Sequence, residues 1–145
     1  MSIKRPESVL VVIYDDHQRV LVLQRLDDAS FWQSVTGTME ENESPSQTAL
    51  REVREETGID ILAQGYSLND QQQINHYPIR PQWRYRYAPG VTHNKEHVFS
   101  LQVNSGQPLT LTEHSNLLWL DAEEAAQKVW SQSNREAILQ LSRNW

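Results

Sequence analysis

The sequence of 145 residues contains no cysteine and carries a formal net charge of −6, and these properties remove several classes of function. Disulfides, thiolate metal sites and cysteine nucleophiles are excluded, and the acidic balance argues against general binding of nucleic acid or anionic membranes. The longest apolar run, residues 9–14, is too short to span a membrane. We therefore expect one domain over residues 1–145, located in the cytoplasm and acting on a small molecule.

Strands are predicted where apolar residues run together or alternate between turn signals. Residues 8–14 and 20–25 are almost continuously apolar, as expected of strands buried on both faces, and the polar residues 15–18 form the turn between them. Residues 97–103 alternate and predict a further strand, followed by a turn at 104–108. The remaining predicted strands are residues 31–36, 59–63, 66–68, 72–77, 83–87 and 117–120.

A central helix is predicted after residue 44. Ser44 is suited to be its N-cap, Pro45 to occupy the first helical position, and Gln47 to complete a capping box. Gly58 predicts the end of the helix, because glycine adopts the left-handed backbone conformation without strain. The helix therefore covers about three turns.

Two further helices are predicted near the end of the chain. Asp121 with Glu124 has the capping pattern that opens a helix through about Val129, and Ser133 with Glu136 has the same pattern for a final helix. A helix inserted among strands, with closing helices after them, predicts a mixed sheet in at least two layers. The fold class is α/β, or α+β in some schemes.

The central helix carries three acids within one turn: Glu52, Glu55 and Glu56. At 100° per residue they lie nearly opposite the apolar Leu50 and Val53. Carboxylates this close repel one another, and a hard divalent cation such as Mg²⁺ would neutralise them through oxygen ligands. The alternative is a solvated acidic face.

The spacing around this helix resembles the signature of the Nudix hydrolases. That signature is glycine, five residues, glutamate, seven residues, and then Arg-Glu-apolar-x-Glu-Glu-x-Gly-apolar. The resemblance implies an α/β/α sandwich with a mixed sheet and a catalytic loop and helix. The matching residues are Gly37, Glu43, Arg51, Glu52, Val53, Glu55, Glu56, Gly58 and Ile59.

Other segments resemble a bacterial subgroup of this family, the dihydroneopterin triphosphate diphosphatases. The resemblance implies that the chain converts dihydroneopterin triphosphate to dihydroneopterin monophosphate and pyrophosphate in folate biosynthesis. It spans most of the chain and is looser through residues 64–80. The segments that carry it are residues 31–37, 86–91, 112–114 and 133–135.

The family resemblance also implies a metal site. Glu52 and Glu56 would coordinate Mg²⁺, or Mn²⁺ in its place, and Glu55 would be an additional ligand. Positions i and i+4 of a helix lie one above the other, so the first two can converge on one cation. Nudix proteins often recruit a further acid from the second half of the chain, and Glu113 is suited to be a metal ligand or the general base. Its alternative is a surface loop acid.

Three positions of the signature have supporting roles in this interpretation. Arg51 is expected to hold a carboxylate by a bidentate contact and thus belongs to the catalytic group without touching substrate. Glu43 is expected to support the junction between loop and helix, or else to be a solvated loop acid. Gly37 is expected to permit close backbone approach to metal or phosphate.

Substrate binding requires cations and hydroxyls beyond the metal. If residues 83–87 form a strand, their alternation gives one aromatic face and one cationic face, suited to a ring and a triphosphate. The alternative is aromatic packing in the core with the arginines in solvent. The candidate substrate-binding residues are Lys4, Arg25, Thr36, Tyr77, Arg84, Arg86 and Ser131.

Two other functions stay open at this point. The same chemistry would suit a purine (deoxy)nucleoside triphosphate such as dATP or oxidised dGTP. A Nudix-fold ligand-binding module without turnover is the third possibility, and the intact acidic cluster argues against it.

Overall fold

The computed structural model describes residues 3–145, and its described part forms a seven-stranded mixed sheet with helices. None of the helices in these residues is long and apolar enough to cross a membrane. A 3₁₀ helix spans Pro81–Arg86. The strands are β1 Glu7–Asp15, β2 Val20–Arg25, β3 Trp32–Gln33, β4 Val35–Thr38, β5 Leu68–Pro78, β6 His93–Val103 and β7 His114–Leu120, and the α-helices are α1 Pro45–Thr57, α2 Ala122–Lys128 and α3 Gln132–Ser142.

The sheet order is β3-β2-β1-β6-β5, with β4 also paired to β1 and β7 paired to β2. Only the β1–β6 pairing is parallel among these ladders. Along one edge of β1, the partner is β4 at residues 8–11 and β2 only at Tyr14. The sheet therefore opens between β2 and β4 beside the first half of β1, and Arg25 of β2 and Gly37 of β4 line the same cleft.

Two hydrophobic clusters cover the two faces of the sheet. Alternate residues of β1 belong to different clusters, with Val11 on the side of α1 and Val12 on the side of α2 and α3. This explains why β1 is continuously apolar, and it confirms the predicted burial on both faces. The predicted layered sandwich with a mixed sheet is likewise confirmed.

The prediction of a strand at residues 59–63 was wrong. Ile59 and Ile61 are buried in the core, which accounts for their apolar character. The backbone forms a turn instead, because the Asp60 carboxylate accepts from the amide of Ala63 and the Asp60 carbonyl accepts from Gln64. Apolar residues in a buried turn have the same composition as a short strand.

The prediction of a strand at residues 83–87 was also wrong. Pro81 begins the 3₁₀ helix, where its fixed φ fits and its missing N–H is not needed. The amides of Trp83 and Tyr87 donate to the carbonyls three residues earlier, at Arg80 and Arg84, over 2.9 and 3.0 Å. The predicted separation into an aromatic face and a cationic face is therefore absent.

Other element boundaries differ by a few residues. The predicted strand 31–36 is divided at Ser34 into β3 and β4. Of the predicted strand 66–68 only Leu68 is extended, and it begins β5, which also contains the predicted strand 72–77 and has a register shift between Asp70 and Gln73. Strand 97–103 extends back to His93, and strand 117–120 begins at His114.

The final helix begins two residues earlier than predicted. The hydroxyl of Ser131, and not that of Ser133, accepts the amide of Asn134 over 3.0 Å and caps α3. The preceding helix begins as predicted, since the Asp121 carboxylate accepts the amide of Glu124 over 2.8 Å.

Candidate active site

Local sequence signals place α1 as predicted. Ser44 caps the helix and forms the reciprocal capping box with Gln47, and Gly58 ends the helix with a φ of 79°. Ala49 and Val53 are fully buried and anchor α1 against the sheet. Because both ends are defined and one side is anchored, the orientation of the acidic residues is determined.

The three acids of α1 differ strongly in exposure. Glu52 is 8% and Glu56 only 1% exposed, whereas the side chain of Glu55 is 45% exposed. The alternative of a solvated acidic face is therefore wrong for Glu52 and Glu56. These two carboxylates line a cleft where the helix meets β4.

Within residues 3–145, neither carboxylate oxygen of Glu56 has a hydrogen-bond partner, although both are buried. Burial raises its pKa well above the ordinary value, the adjacent carboxylate of Glu52 and the charge of Glu113 raise it further, and the backbone of Thr36 acts in the opposite direction. Nε2 of His114 lies 3.9 Å from Oε1 of Glu56, and burial lowers the pKa of this histidine. A buried carboxylate without donors is costly unless a cation or proton accompanies it.

Arg51 forms the predicted bidentate contact, and its partner is Glu43. Nε and Nη2 donate to the two oxygens of Glu43 over 2.8 and 2.9 Å. Nη1 donates to Glu52 over 2.6 Å and to Glu55 over 3.2 Å. One guanidinium thus orients three carboxylates, and Arg51 holds the pKa of Glu43 at about 2.

Glu43 also joins the preceding loop to the helix. One of its oxygens accepts the amide of Glu40 and the hydroxyl of Thr48, both over 2.8 Å. Its side chain is only 16% exposed, so the alternative of a solvated loop acid is wrong. The structure places Glu43 at the loop–helix junction, as the sequence predicted.

Gly37 lies directly against the carboxylate of Glu52. A Cβ atom at this position would overlap the terminal atoms of that side chain. The backbone of Gly37 is not at positive φ, so glycine is needed here for space and not for conformation. The close approach in the structure is to a carboxylate.

The loop before β7 reaches α1 from the other side. The hydroxyl of Thr112 donates to the carbonyl of Glu55 over 2.6 Å, and the amide of Thr110 donates to the carbonyl of Thr57 over 2.8 Å. Glu113 is exposed and lines the same cleft as Glu56. The structure therefore brings the predicted distant acid to the acidic helix.

The cleft has a volume of about 1630 Å³, and basic side chains line it together with the acids. Lys4, Arg25 and Arg86 are among them. Burial lowers the pKa of Lys4, and the positive charges of Arg86 and Arg25 lower it further. Three cations close enough to repel one another favour a multiply charged anion beside them.

The comparison with known families decides the relationship. The model of the NUDIX domain matches residues 4–141. The chain belongs to the Nudix family. Four of its signature residues, Gly37, Arg51, Glu52 and Glu56, line the cleft.

The similar proteins cover nearly the whole Nudix chain. The dihydroneopterin triphosphate diphosphatase of Escherichia coli (strain K12) is 50% identical over 139 residues, covering 95% of this chain and 93% of the relative. The enzyme of that name from Haemophilus influenzae is 47% identical over 95% of this chain and 88% of its own. The solved structure of the E. coli dihydroneopterin triphosphate pyrophosphohydrolase is 49% identical, covers 100% of both chains and superposes with a TM-score of 0.94.

The predicted substrate-binding residues of this Nudix chain divide into two groups. Lys4, Arg25, Thr36, Tyr77, Arg86 and Ser131 line the cleft. Arg84 does not, because the 3₁₀ helix directs its Nε to the carbonyl of Ile79 over 3.2 Å. The prediction that Arg84 contacts substrate is therefore not supported by its position.

The hydroxyls and one arginine in the cleft already have partners within the protein. Thr36 donates to the carbonyl of Val9 over 2.9 Å, Ser131 caps α3, and Tyr77 accepts from Asn94 over 3.0 Å. Arg25 is held by Asp27 over 2.6 and 2.8 Å. These residues shape the cleft as well as line it.

Sequence reasoning missed an aromatic cluster at the rim of the cleft. The guanidinium of Arg80 lies 5.3, 5.9 and 5.0 Å from the ring centroids of Phe31, Trp83 and Trp130. Phe31 and Trp130 stack at 5.0 Å, and Arg25 also lies over Trp83 at 5.2 Å. The members are up to 99 positions apart in sequence, so no local pattern announces the cluster.

A separate group of possible metal ligands occurs at the β1–β2 turn, where atoms of Asp15, Asp16 and His17 lie within 4.8 Å of one another. The Asp15 carboxylate already accepts from the backbone of His17 and from the backbone and side chain of Arg19. Asp16 accepts from Ser105. These contacts build the turn and account for the grouping without a metal ion.

Proposed function

We propose that this Nudix protein hydrolyses dihydroneopterin triphosphate to dihydroneopterin monophosphate and pyrophosphate, a step of folate biosynthesis. Relatives carrying that activity in their names are 47–50% identical over 95% of the chain. The similarity therefore includes the walls of the cleft as well as the signature segment. A small-molecule triphosphate is the proposed partner, and the cytoplasm stays the predicted location.

The observation that carries the reaction class is the unpartnered buried carboxylate of Glu56. Nudix hydrolases generally use a divalent metal, and the donor set of this cleft fits one: oxygen atoms from Glu56 and Glu52, with Glu113 and Glu55 nearby. We propose Mg²⁺, with Mn²⁺ as a substitute, since hard cations take carboxylate and phosphate oxygens. A divalent ion held there supplies charge neutralisation for the polyphosphate and acidifies a bound water.

The protein's own residues position these groups. Arg51 donates a hydrogen bond to one carboxylate oxygen of Glu52, and the other oxygen of that carboxylate lies against Gly37. Two hydrogen bonds to Glu43 hold the same guanidinium, so its orientation is already set before substrate binds. We assign Arg51 and Glu43 to orientation of the ligands, and Glu52 and Glu56 to direct metal binding.

Glu113 is our candidate for the general base. Its exposure leaves the carboxylate free to take a proton from an attacking water, while the loop is tethered to α1 through Thr112. Attack of that water on phosphorus breaks the phosphoanhydride bond, and pyrophosphate leaves. The basic side chains that line the cleft bind the phosphate oxygens; they are Lys4, Arg25 and Arg86.

The test is steady-state kinetics with Mg²⁺ on dihydroneopterin triphosphate, dATP and oxidised dGTP. We expect the pterin substrate to have the highest kcat/KM and to release pyrophosphate, and we expect EDTA to abolish turnover and Mn²⁺ to restore it. A nucleotide preferred by more than tenfold would replace the pterin assignment by the purine one. No turnover of any triphosphate would favour the binding module.

A further inference from the structure

A second pair of buried polar side chains lines the cleft on β6, outside the signature segment. Asn94 and Glu96 are each 3% exposed, and both line the cleft. Residues two apart on a strand point to the same face, about 6.6 Å apart along it. Together they present polar atoms to one side of a bound ring.

The amide of Asn94 is oriented by its neighbours. Nδ2 donates to the hydroxyls of Ser8 over 2.7 Å and Tyr77 over 3.0 Å. Oδ1 is buried and accepts no hydrogen bond from the part of the chain that the structure describes. Because both amide hydrogens are used within the protein, the free carbonyl oxygen accepts a donor from a ligand.

Glu96 is a buried acid. Among the described residues, no lysine or arginine forms an ion pair with it, and Asn75 Nδ2 donates to its carboxylate over 3.2 Å. Burial raises its pKa although Asn75 and Ser133 act in the opposite direction. A carboxylate with so few donors is stabilised when a ligand supplies more.

The acceptors on this wall of the cleft are the two carboxylate oxygens of Glu96 and Oδ1 of Asn94. A ligand that fits them has three adjacent hydrogen-bond donors. The 2-amino-4-oxopyrimidine edge of a pterin has them: a ring N–H and two hydrogens on the neighbouring amino group. Adenine instead has a ring-nitrogen lone pair beside its amino group, and this lone pair would face the Glu96 carboxylate. The wall is thus complementary to the pterin edge and mismatched to adenine.

We propose that Glu96 and Asn94 bind the 2-amino-4-oxo edge of the pterin, with Glu96 accepting the ring N–H and one amino N–H, and Asn94 accepting the other. This inference rests on the proposed function and names the residues that select its substrate. Guanine carries the same edge, so the wall discriminates against adenine and not against guanine.

The test compares Glu96→Gln with wild type on dihydroneopterin triphosphate and dATP. Losing a bidentate, charge-assisted contact should lower kcat/KM for the pterin about 10- to 100-fold. Turnover of dATP should stay the same or rise, because the carboxylate no longer opposes its ring nitrogen. Glu123→Gln, an exposed change on α2 outside the cleft, should leave both substrates unaffected.

A second measurement uses neopterin and guanosine, which carry the edge but no phosphate, and follows binding without metal. Both should bind the wild type and weaken at least tenfold with Glu96→Gln. If wild type hydrolyses the pterin triphosphate but Glu96→Gln keeps the pterin-to-dATP ratio, the inference is overturned and the proposed function stands. If wild type does not hydrolyse the pterin triphosphate, the proposed function is wrong. In that case weaker binding of neopterin by Glu96→Gln still supports the contact with the pterin edge, and unchanged binding overturns that contact.

Discussion

Glu43 and Glu56 lie thirteen positions apart in the signature segment, and their environments are opposite. Glu43 accepts two bonds from Arg51, one from Glu40 and one from Thr48. Glu56 accepts none. The pKa of the first carboxylate is about 2, and that of the second is raised well above its ordinary value by burial.

The difference separates structural acids from functional ones. A carboxylate saturated with donors stabilises the fold and is closed to further ligands. A buried carboxylate without donors destabilises the metal-free protein and is open to a cation. Substitutions at the two positions should therefore have opposite consequences for stability and activity.

Glu56→Gln tests the open carboxylate and has the largest expected effect. We expect kcat/KM with Mg²⁺ to fall on the order of 10³-fold or more, because the amide is a weaker metal ligand. The thermal midpoint in EDTA should be unchanged or higher, because a repulsive buried charge is removed. Retained turnover would show that Glu56 is not a metal ligand. A strongly lowered thermal midpoint would show that Glu56, like Glu43, stabilises the fold.

Gly37→Ala tests whether the carboxylate geometry matters without changing any acid. The added Cβ displaces Glu52, and a misplacement of this size should lower kcat/KM about 10²-fold. Gly106→Ala is the matched control, since nothing lies near its Cβ and its φ is 79°. That control should cost about 1 kcal/mol of stability and leave kinetics intact; equal activity in both variants would contradict the crowding argument.

Glu43→Gln tests the saturated carboxylate through stability. We expect a loss of about 2–3 kcal/mol in the free energy of unfolding at neutral pH, measured by urea denaturation. Since the folded pKa of about 2 lies below the ordinary 4.5, this contribution is complete above pH 5.5 and is lost as pH falls from 4.5 toward 2. The difference between wild type and variant should therefore shrink over that range; a constant difference would show that charge is not involved.

The local parts of the site were predictable from sequence. Helix α1, its capping box and its glycine stop follow from residues within a few positions of one another, so their interactions form wherever the segment folds. The role of Arg51 in holding a carboxylate also follows from the charge pattern, although its bidentate partner proved to be Glu43.

The errors arose where distant packing or proline geometry decided the backbone. Residues 59–63 and 83–87 have strand-like composition but form a turn and a 3₁₀ helix. Ser131 and Ser133 are both suitable N-caps, and only the docking of Asn134 against Ser34 selects the first. The polar pair of Asn94 and Glu96 was overlooked because its strand was predicted to begin at residue 97.

The sequence by itself determined the family, the layered fold and the acids of the central helix, because the signature spacing and the capping residues act over short distances. Only the tertiary structure decided which acids lack hydrogen-bond donors, which cations line the same cleft, and which wall of the cleft can distinguish the ring of a substrate. Those properties depend on burial and on partners from other elements, such as Glu113 for Glu56 and Tyr77 for Asn94. Desolvation and hydrogen-bond satisfaction are set by what surrounds a side chain, and residue order does not specify that locally.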